Sequence, residues 1–113
     1  MSLRDLILAA SDLKREAVEV PEWGCTVYVG TMSGKQRVSW AEATWNDDGA
    51  VKPLSNATLL ANTLFEEDGT RIFTDAEIPS LADKSGAVIF RLINIAKRLN
   101  GLGAEEVDKA EKN

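Results

Sequence analysis

The stretch Ser85–Leu102, SGAVIFRLINIAKRLNGL, decides the fold because its apolar residues follow one clear period. Large apolar side chains recur there at steps of three or four residues, at Val88, Leu92, Ile95 and Leu99. Residues at this spacing lie on one side of an α-helix, where they can pack against a neighbour. The spacing therefore predicts a helix over about 85–100.

The end of this helix is also encoded in the sequence. Lys97 and Arg98 fall in its last turn, where cations suit the negative end of the helix dipole. Gly101 follows at the position that favours a left-handed cap, with Leu102 folding back onto the helix.

Phe90 lies outside the apolar stripe, so the helix is apolar over a wide arc and should contact more than one neighbour. The arc formed by residues 88–99 has two interpretations. It packs in the core, which is the simpler interpretation, or part of it forms a binding face.

A β-hairpin is the second fixed element. From Leu13 onward polar and apolar residues alternate, and β-branched and aromatic residues follow, so strands are predicted at about 15–20 and 25–32. Between them Pro21–Gly24 combines a fixed φ with a residue that accepts positive φ, which is typical of a tight turn.

The region that follows the hairpin allows two interpretations. Val38, Ala41 and Trp45 suit one face of a helix, but the same region also alternates as a strand would. We adopt a helix over 33–45, and the sequence leaves the structure of 35–57 open between helix and strand.

A second hairpin is predicted over about 58–73, because two apolar runs flank the turn Glu66–Gly69 with its Asp-Gly pair. A helix through 55–65 is the main alternative. Thr74 and Glu77 match a capping box, which predicts a short helical turn before the long helix.

Together these elements predict one small α+β domain over residues 1–103. Ser2 can cap a further short helix over 2–10. The segment 104–113 carries Val107 as its one large apolar residue among charges, so it is predicted to be a mobile tail.

Composition limits the partners of this chain. Its 113 residues include 18 acidic and 13 basic ones, for a formal net charge of −5, and the basic residues are scattered among carboxylates. This distribution disfavours nucleic-acid binding. No apolar run approaches the length of a membrane-spanning helix, so no membrane partner is expected. The single cysteine suits a reducing compartment, and we expect a cytoplasmic protein.

The sequence offers little for catalysis. It contains no histidine, which removes the commonest general base and most zinc sites, and one cysteine cannot build a thiolate cluster. Gly30–Lys35 lacks the spacing of a phosphate-binding loop. Cys25 is interpreted as a small buried hydrophobic residue rather than a nucleophile. We therefore expect no catalytic, cofactor-binding or metal-binding residue, and a binding protein rather than an enzyme.

The three tryptophans, Trp23, Trp40 and Trp45, are the remaining signal, because tryptophan anchors both small cores and interfaces. One or two of them should lie in the core, whereas Trp23, on a turn, should stay partly exposed. We predict that Trp23 and Phe90 contribute to a partner-binding surface. The alternative, in which Trp23 caps the core, is at least as well supported.

Three short segments then carry a resemblance: Pro21–Gly24, Glu66–Gly69 with Phe73, and Arg98–Leu102. They stand within longer similar stretches, from SLRDLILAASDLKREAVEVPEWG to LINIAKRLNGLGAEEV. In this order and spacing the chain resembles the small tail assembly chaperones of bacteriophages with long non-contractile tails. The resemblance covers nearly the whole chain and is weakest over 35–57.

The resemblance implies a function. Such a chaperone is expected to bind the tape-measure protein in the host cytoplasm, to keep it soluble and elongated, and to be absent from the mature virion. The family often makes a longer, frameshift-extended form whose extension recruits the tail tube protein. Homo-oligomer formation is a further expectation. The alternative is a structural virion component, such as a head-tail joining or tail-terminator protein.

Overall fold

The computed structural model of this protein describes residues 2–102. The helices and strands of this part follow in the order α1 Leu3–Ala9, β1 Arg15–Val20, β2 Cys25–Gly30, α2 Gly34–Thr44, α3 Ser55–Thr63, β3 Leu64–Phe65, α4 Ile78–Ala82 and α5 Gly86–Asn100. The predicted α+β class, the N-terminal hairpin and the long C-terminal helix are confirmed.

The three strands form one antiparallel sheet in the order β1-β2-β3. The hairpin pairs Arg15 with Gly30 at its open end and Val20 with Cys25 at its closed end. Its turn is a 3-10 turn over Pro21–Trp23, and Gly24 follows with a φ of 67°. Glycine adopts this left-handed conformation without a Cβ clash. The predicted tight turn at Pro21–Gly24, with a positive φ at its glycine, is therefore confirmed.

Helix α5 covers the inner face of the sheet. Val88 and Leu92 of the predicted stripe are buried, whereas Ile95 and Leu99 are partly buried against the core. The core with Val27 and Val29 of β2 is completed by residues beside the stripe: Ile89, Ile93 and Ala96. Gly101 has a φ of 67°, and the amide N–H of Leu102 donates to the Lys97 carbonyl oxygen at 2.8 Å. The predicted left-handed cap is therefore present.

Helix α3 is the element that sequence analysis assigned to strands. Every residue from Ala57 to Thr63 is buried, and α3 packs against α2, α4 and α5. The predicted second hairpin over 58–73 is wrong for residues 58–63, where the alternative helix is correct. Part of the predicted hairpin is present, because Phe65 forms a bridge with Arg71 across the turn Glu66–Gly69. The short strand β3 also pairs with β2.

Polar residues of α3 tolerate burial because they bond within the helix. The Thr63 hydroxyl donates to the Leu59 carbonyl oxygen at 2.8 Å, and the Asn62 amide donates to the Thr58 carbonyl oxygen at 2.8 Å. Buried polar groups that keep a partner avoid most of the cost of leaving water. The helix can therefore be buried on all sides.

Helix α2 settles the ambiguous region after the hairpin. Ser33 and Gln36 form a capping box at its start, with each side chain accepting the other residue's backbone N–H. The helix buries Trp40 and Thr44, whereas Val38 and Trp45 are exposed. The predicted helix is correct, but of the three residues that suggested it Ala41 alone packs against the core, where it is partly buried.

Asn100 joins the end of α5 to the end of β2. Its Oδ1 accepts the amide N–H of Met32 at 2.8 Å, and its Nδ2 donates to the carbonyl oxygens of Gly30 at 3.1 Å and Ala96 at 2.8 Å. Its own carbonyl oxygen accepts a bond of 3.0 Å from Arg37 of α2. The side chain and backbone of this one buried residue thus connect a strand and two helices.

Cys25 is exposed, so its interpretation as a buried hydrophobic residue is wrong. By strand alternation it shares a side of the sheet with Val27 and Val29, which are buried. Cys25 is the first residue of β2, beside the turn, and the cover of the sheet does not extend to this position.

The N-terminal helix is confirmed as α1, and the Ser2 hydroxyl accepts the amide N–H of Asp5 at 3.2 Å. None of its residues is buried. The predicted mobile tail at 104–113 and the domain boundary before it lie outside the described residues and stay predictions.

Leu92 tests the packing of α5. It is fully buried at the middle of the stripe, so Leu92→Ala should lower the free energy of unfolding by about 2–5 kcal/mol. Asn94→Ala, on the exposed side of the same helix, should change it by less than about 0.5 kcal/mol. Urea denaturation followed by circular dichroism measures both, and equal effects would contradict the assigned burial.

Asn100 tests the polar connection. Asn100→Ala leaves the buried Met32 N–H without its acceptor and should lower the free energy of unfolding by about 2–4 kcal/mol.

The variant Asn100→Asp tests the same contact through pH. It keeps an acceptor for Met32 but places a second oxygen next to the carbonyl oxygens of Gly30 and Ala96, which raises the folded-state pKa of the new carboxyl. Its stability should therefore fall as pH rises above about 4, the ordinary pKa of Asp. Denaturation at pH 4 and pH 7 checks this, and a pH-independent difference from the unsubstituted protein would contradict it.

Candidate partner-binding site

An exposed apolar groove lies where α3 and α5 begin. It has a volume of about 300 Å³ and is lined by Leu54, Ser55, Asn56, Ala57, Ala82, Lys84, Gly86, Ile89 and Phe90. Two of its large apolar side chains, Phe90 and Leu54, are 57% and 47% exposed. We call this surface the Phe90 groove. It offers contact area for an apolar side chain of a partner without any reactive group.

Leu54 forms one wall of the Phe90 groove in an unusual conformation. Its φ of 64° is the one positive φ of a non-glycine residue in the described chain. The left-handed conformation costs a leucine free energy because Cβ approaches the following backbone. The carbonyl oxygen of Leu54 accepts both the amide N–H and the hydroxyl of Thr58, each at 2.9 Å, which helps hold this conformation at the start of α3.

The hairpin turn is tied to α5 next to Phe90. Arg91 donates from Nη1 and Nη2 to the two carboxylate oxygens of Glu22 at 2.8 and 2.9 Å. These hydrogen bonds from Arg91 lower the pKa of Glu22 to about 2. A second pair, Arg98 with Glu16 at 2.7 Å, connects α5 to β1. Both pairs are exposed, so they orient α5 on the sheet more than they stabilise the fold.

The two residues that sequence analysis assigned to partner binding do not line the same groove. Phe90 is exposed on its groove. Trp23 is half-buried and packs against the core, and it does not line the Phe90 groove. Trp40 is the buried core tryptophan, as expected for one of the three.

Sequence analysis missed a second apolar groove, which we call the Trp45 groove. It has a volume of about 320 Å³ and is lined by Trp40, Trp45, Leu59, Lys97, Gly101 and Leu102. The rings of Trp40 and Trp45 meet edge to face, with centroids 5.0 Å apart. Trp45 is 40% exposed. The one sequence signal for this surface was the helical spacing of Val38, Ala41 and Trp45, which we used only to predict a helix.

The described residues contain no group of three or more His, Cys, Asp or Glu side chains that could hold a metal ion.

Sequence analysis also missed the role of Leu54 in the Phe90 groove. The residues next to Leu54 do not indicate that it adopts a positive φ.

Over residues 2–102, no helix has the length and apolar character needed to cross a membrane.

Comparison with known proteins identifies the family. The family model described as phage tail assembly chaperone matches residues 2–113. The structure is similar to that of the bacteriophage HK97 tail assembly chaperone, with a TM-score of 0.62 and 25% sequence identity over 86% of this chain and 91% of that one. Comparison with curated protein sequences gives no significant match. Because the family model spans the chain from its second residue to its last, this protein belongs to the phage tail assembly chaperone family.

Proposed function

We propose that this chaperone binds the tape-measure protein in the host cytoplasm, keeps it soluble during tail assembly, and is absent from the mature virion. The observation that carries this proposal is the Phe90 groove, an exposed apolar surface at the starts of two packed helices. The family membership supports a role in tail assembly, and the groove supplies a means of holding another protein.

The chemistry of the groove suits an apolar helical partner. Long amphipathic helices expose apolar stripes that aggregate in water, and a short apolar groove can take one or two side chains of such a stripe. A surface this small binds weakly by itself, because stable interfaces bury far more area. Weak contacts repeated by many copies along one extended partner would hold it in solution and still release it when tube subunits polymerise.

Trp23 has a supporting role in this proposal. Its ring is half-buried against the core, and Glu22 beside it bonds to Arg91, the neighbour of Phe90. Trp23 therefore sets the position of the hairpin turn and offers the accessible part of its ring as a secondary contact. Its truncation should affect stability more than that of Phe90.

A second partner belongs to the same proposal. The tail tube protein would be recruited by a frameshift-extended form of this chain, in which the shared domain holds the tape measure. We assign no enzymatic reaction to this protein. Expression from the natural reading frame and its downstream sequence, followed by mass spectrometry, tests for the longer product.

Co-expression with the tape-measure protein of the same phage tests the Phe90 groove. Phe90→Asp together with Leu54→Asp should reduce the soluble, co-purifying tape-measure protein at least about 10-fold, because a charge is then placed in each apolar wall. The thermal midpoint should change little, since both side chains are about half exposed. Soluble yield and melting temperature are the two measurements.

Val38→Asp is the matched control, because Val38 is 59% exposed on α2 and does not line the Phe90 groove. It should leave tape-measure solubility unchanged. Normal solubilisation by the Phe90 and Leu54 variant would contradict the assigned surface. Detection of the chain in purified virions, with no effect on tape-measure solubility when it is omitted, would favour the structural virion component instead.

A further inference from the structure

The polar part of the Phe90 groove consists of groups that can donate hydrogen bonds, at Ser55, Asn56, Lys84 and Gly86. Among the described residues that line the groove none is acidic, although the whole chain carries 18 acidic residues. Lys84 is its one charged lining residue, and it is exposed. Within residues 2–102 Lys84 forms no ion pair, so its charge is available to a partner.

Two helix starts add positive potential to the same groove. Helix α3 begins at Ser55 and α5 begins at Gly86, and both residues line the groove. Neither start has a side-chain cap, because Leu54 carries no acceptor in its side chain and Ser85 forms no cap hydrogen bond. The uncapped amide N–H groups at the start of a helix carry about half a positive charge. Together with Lys84 they favour a carboxylate beside the apolar walls.

We propose that the Phe90 groove recognises two side chains of one partner helix, a large apolar side chain and a carboxylate one helical turn away. This inference rests on the proposed function and adds the chemistry of the tape-measure segment that is bound. Side chains three or four positions apart lie on one face of a helix, about 5–6 Å apart, so both can enter one short groove. The apolar side chain packs between Leu54 and Phe90, and the carboxylate lies near Lys84.

Net charge limits how acidic the bound segment can be. The chain carries a charge of −5 and therefore repels a strongly acidic segment at long range. The attraction exerted by Lys84 is short-ranged, because physiological salt screens exposed charges beyond about 8 Å. Asp83, the neighbour of Lys84 along the chain, does not line the groove. The fitting partner thus has single carboxylates beside apolar residues rather than a run of acidic residues.

The Trp45 groove does not share this preference. It is also lined by one lysine, Lys97, but it lies where α5 ends. The carbonyl end of a helix dipole is negative and offsets a nearby cation. Carboxylate recognition is therefore assigned to the Phe90 groove, where the cation and the helix starts act in the same direction.

Overlapping peptides of the tape-measure protein of the same phage test the proposal. Fluorescence anisotropy measures the affinity of the full-length chain for each peptide. The peptides that lose affinity for the variant with Phe90→Asp and Leu54→Asp are those that occupy the groove. In these peptides, exchange of the acidic residue one turn from the apolar residue for its amide should lower the affinity about 5-fold, through loss of the ion pair and of the dipole interaction.

Substitution of Lys84 tests the other side of the contact. Lys84→Glu should lower the affinity for the acidic peptides about 10-fold, because like charges then face each other. Lys84→Met, which removes the charge without reversing it, should cause a smaller loss, about 3-fold. Peptides with lysine in place of the acidic residue should bind the Lys84→Glu chain more tightly than the unsubstituted chain, which a general loss of structure would not produce.

Lys35→Glu is the matched control, because Lys35 is exposed on α2, does not line the groove and gives the same change in net charge. It should change the affinity less than about 2-fold. Groove-dependent peptides without an acidic residue at this spacing, or with an affinity unchanged by the amide exchange or by Lys84→Glu, would overturn carboxylate recognition and leave the proposed function intact. If no tape-measure peptide depends on Phe90 and Leu54, the proposed function fails as well.

Discussion

The fold depends on the buried amide of Asn100. It satisfies the backbone of β2 just where the strand ends, at Gly30 and Met32, while bonding to its own helix at Ala96. A strand end buried without such partners would carry the cost of two polar groups removed from water. Apolar contacts are non-directional, so this directional contact, together with the ion pairs of Arg91 and Arg98, specifies the position of α5 on the sheet. Arg37 then joins α2 to the same point.

Much of the fold could be predicted because its signals are local. The stripe and cap of α5, the hairpin turn and both capping boxes involve residues three to seven positions apart, so the sequence contains the whole interaction. Helix α3 could not be predicted in this way. Its sequence TLLANTL is buried on all sides, so it has no polar face to give a period of 3.6 residues. A segment that is buried on every side, without a periodic polar face, is equally typical of a central strand, and only the surrounding helices decide between the two.

The candidate site was accessible to prediction only in part. Phe90 was identified because it lies outside the apolar stripe of α5. A side chain in that position does not face the core and stays exposed. The position of Leu54 in the groove depends on its positive φ, which no local sequence pattern predicts. The Trp45 groove was hidden for another reason. Helix α2 and its C-cap have apolar residues on two sides, and Trp40 lies in the core while Val38 and Trp45 are exposed. Spacing identifies the faces of a helix but not which face is buried.

The exposed apolar surfaces of this protein are separate from one another. The Phe90 groove, the Trp45 groove and α1 have separate linings, so no single apolar patch contains them all. A net charge of −5 adds repulsion between copies that collide in other orientations. Association is then favourable only where an apolar surface meets a complementary one.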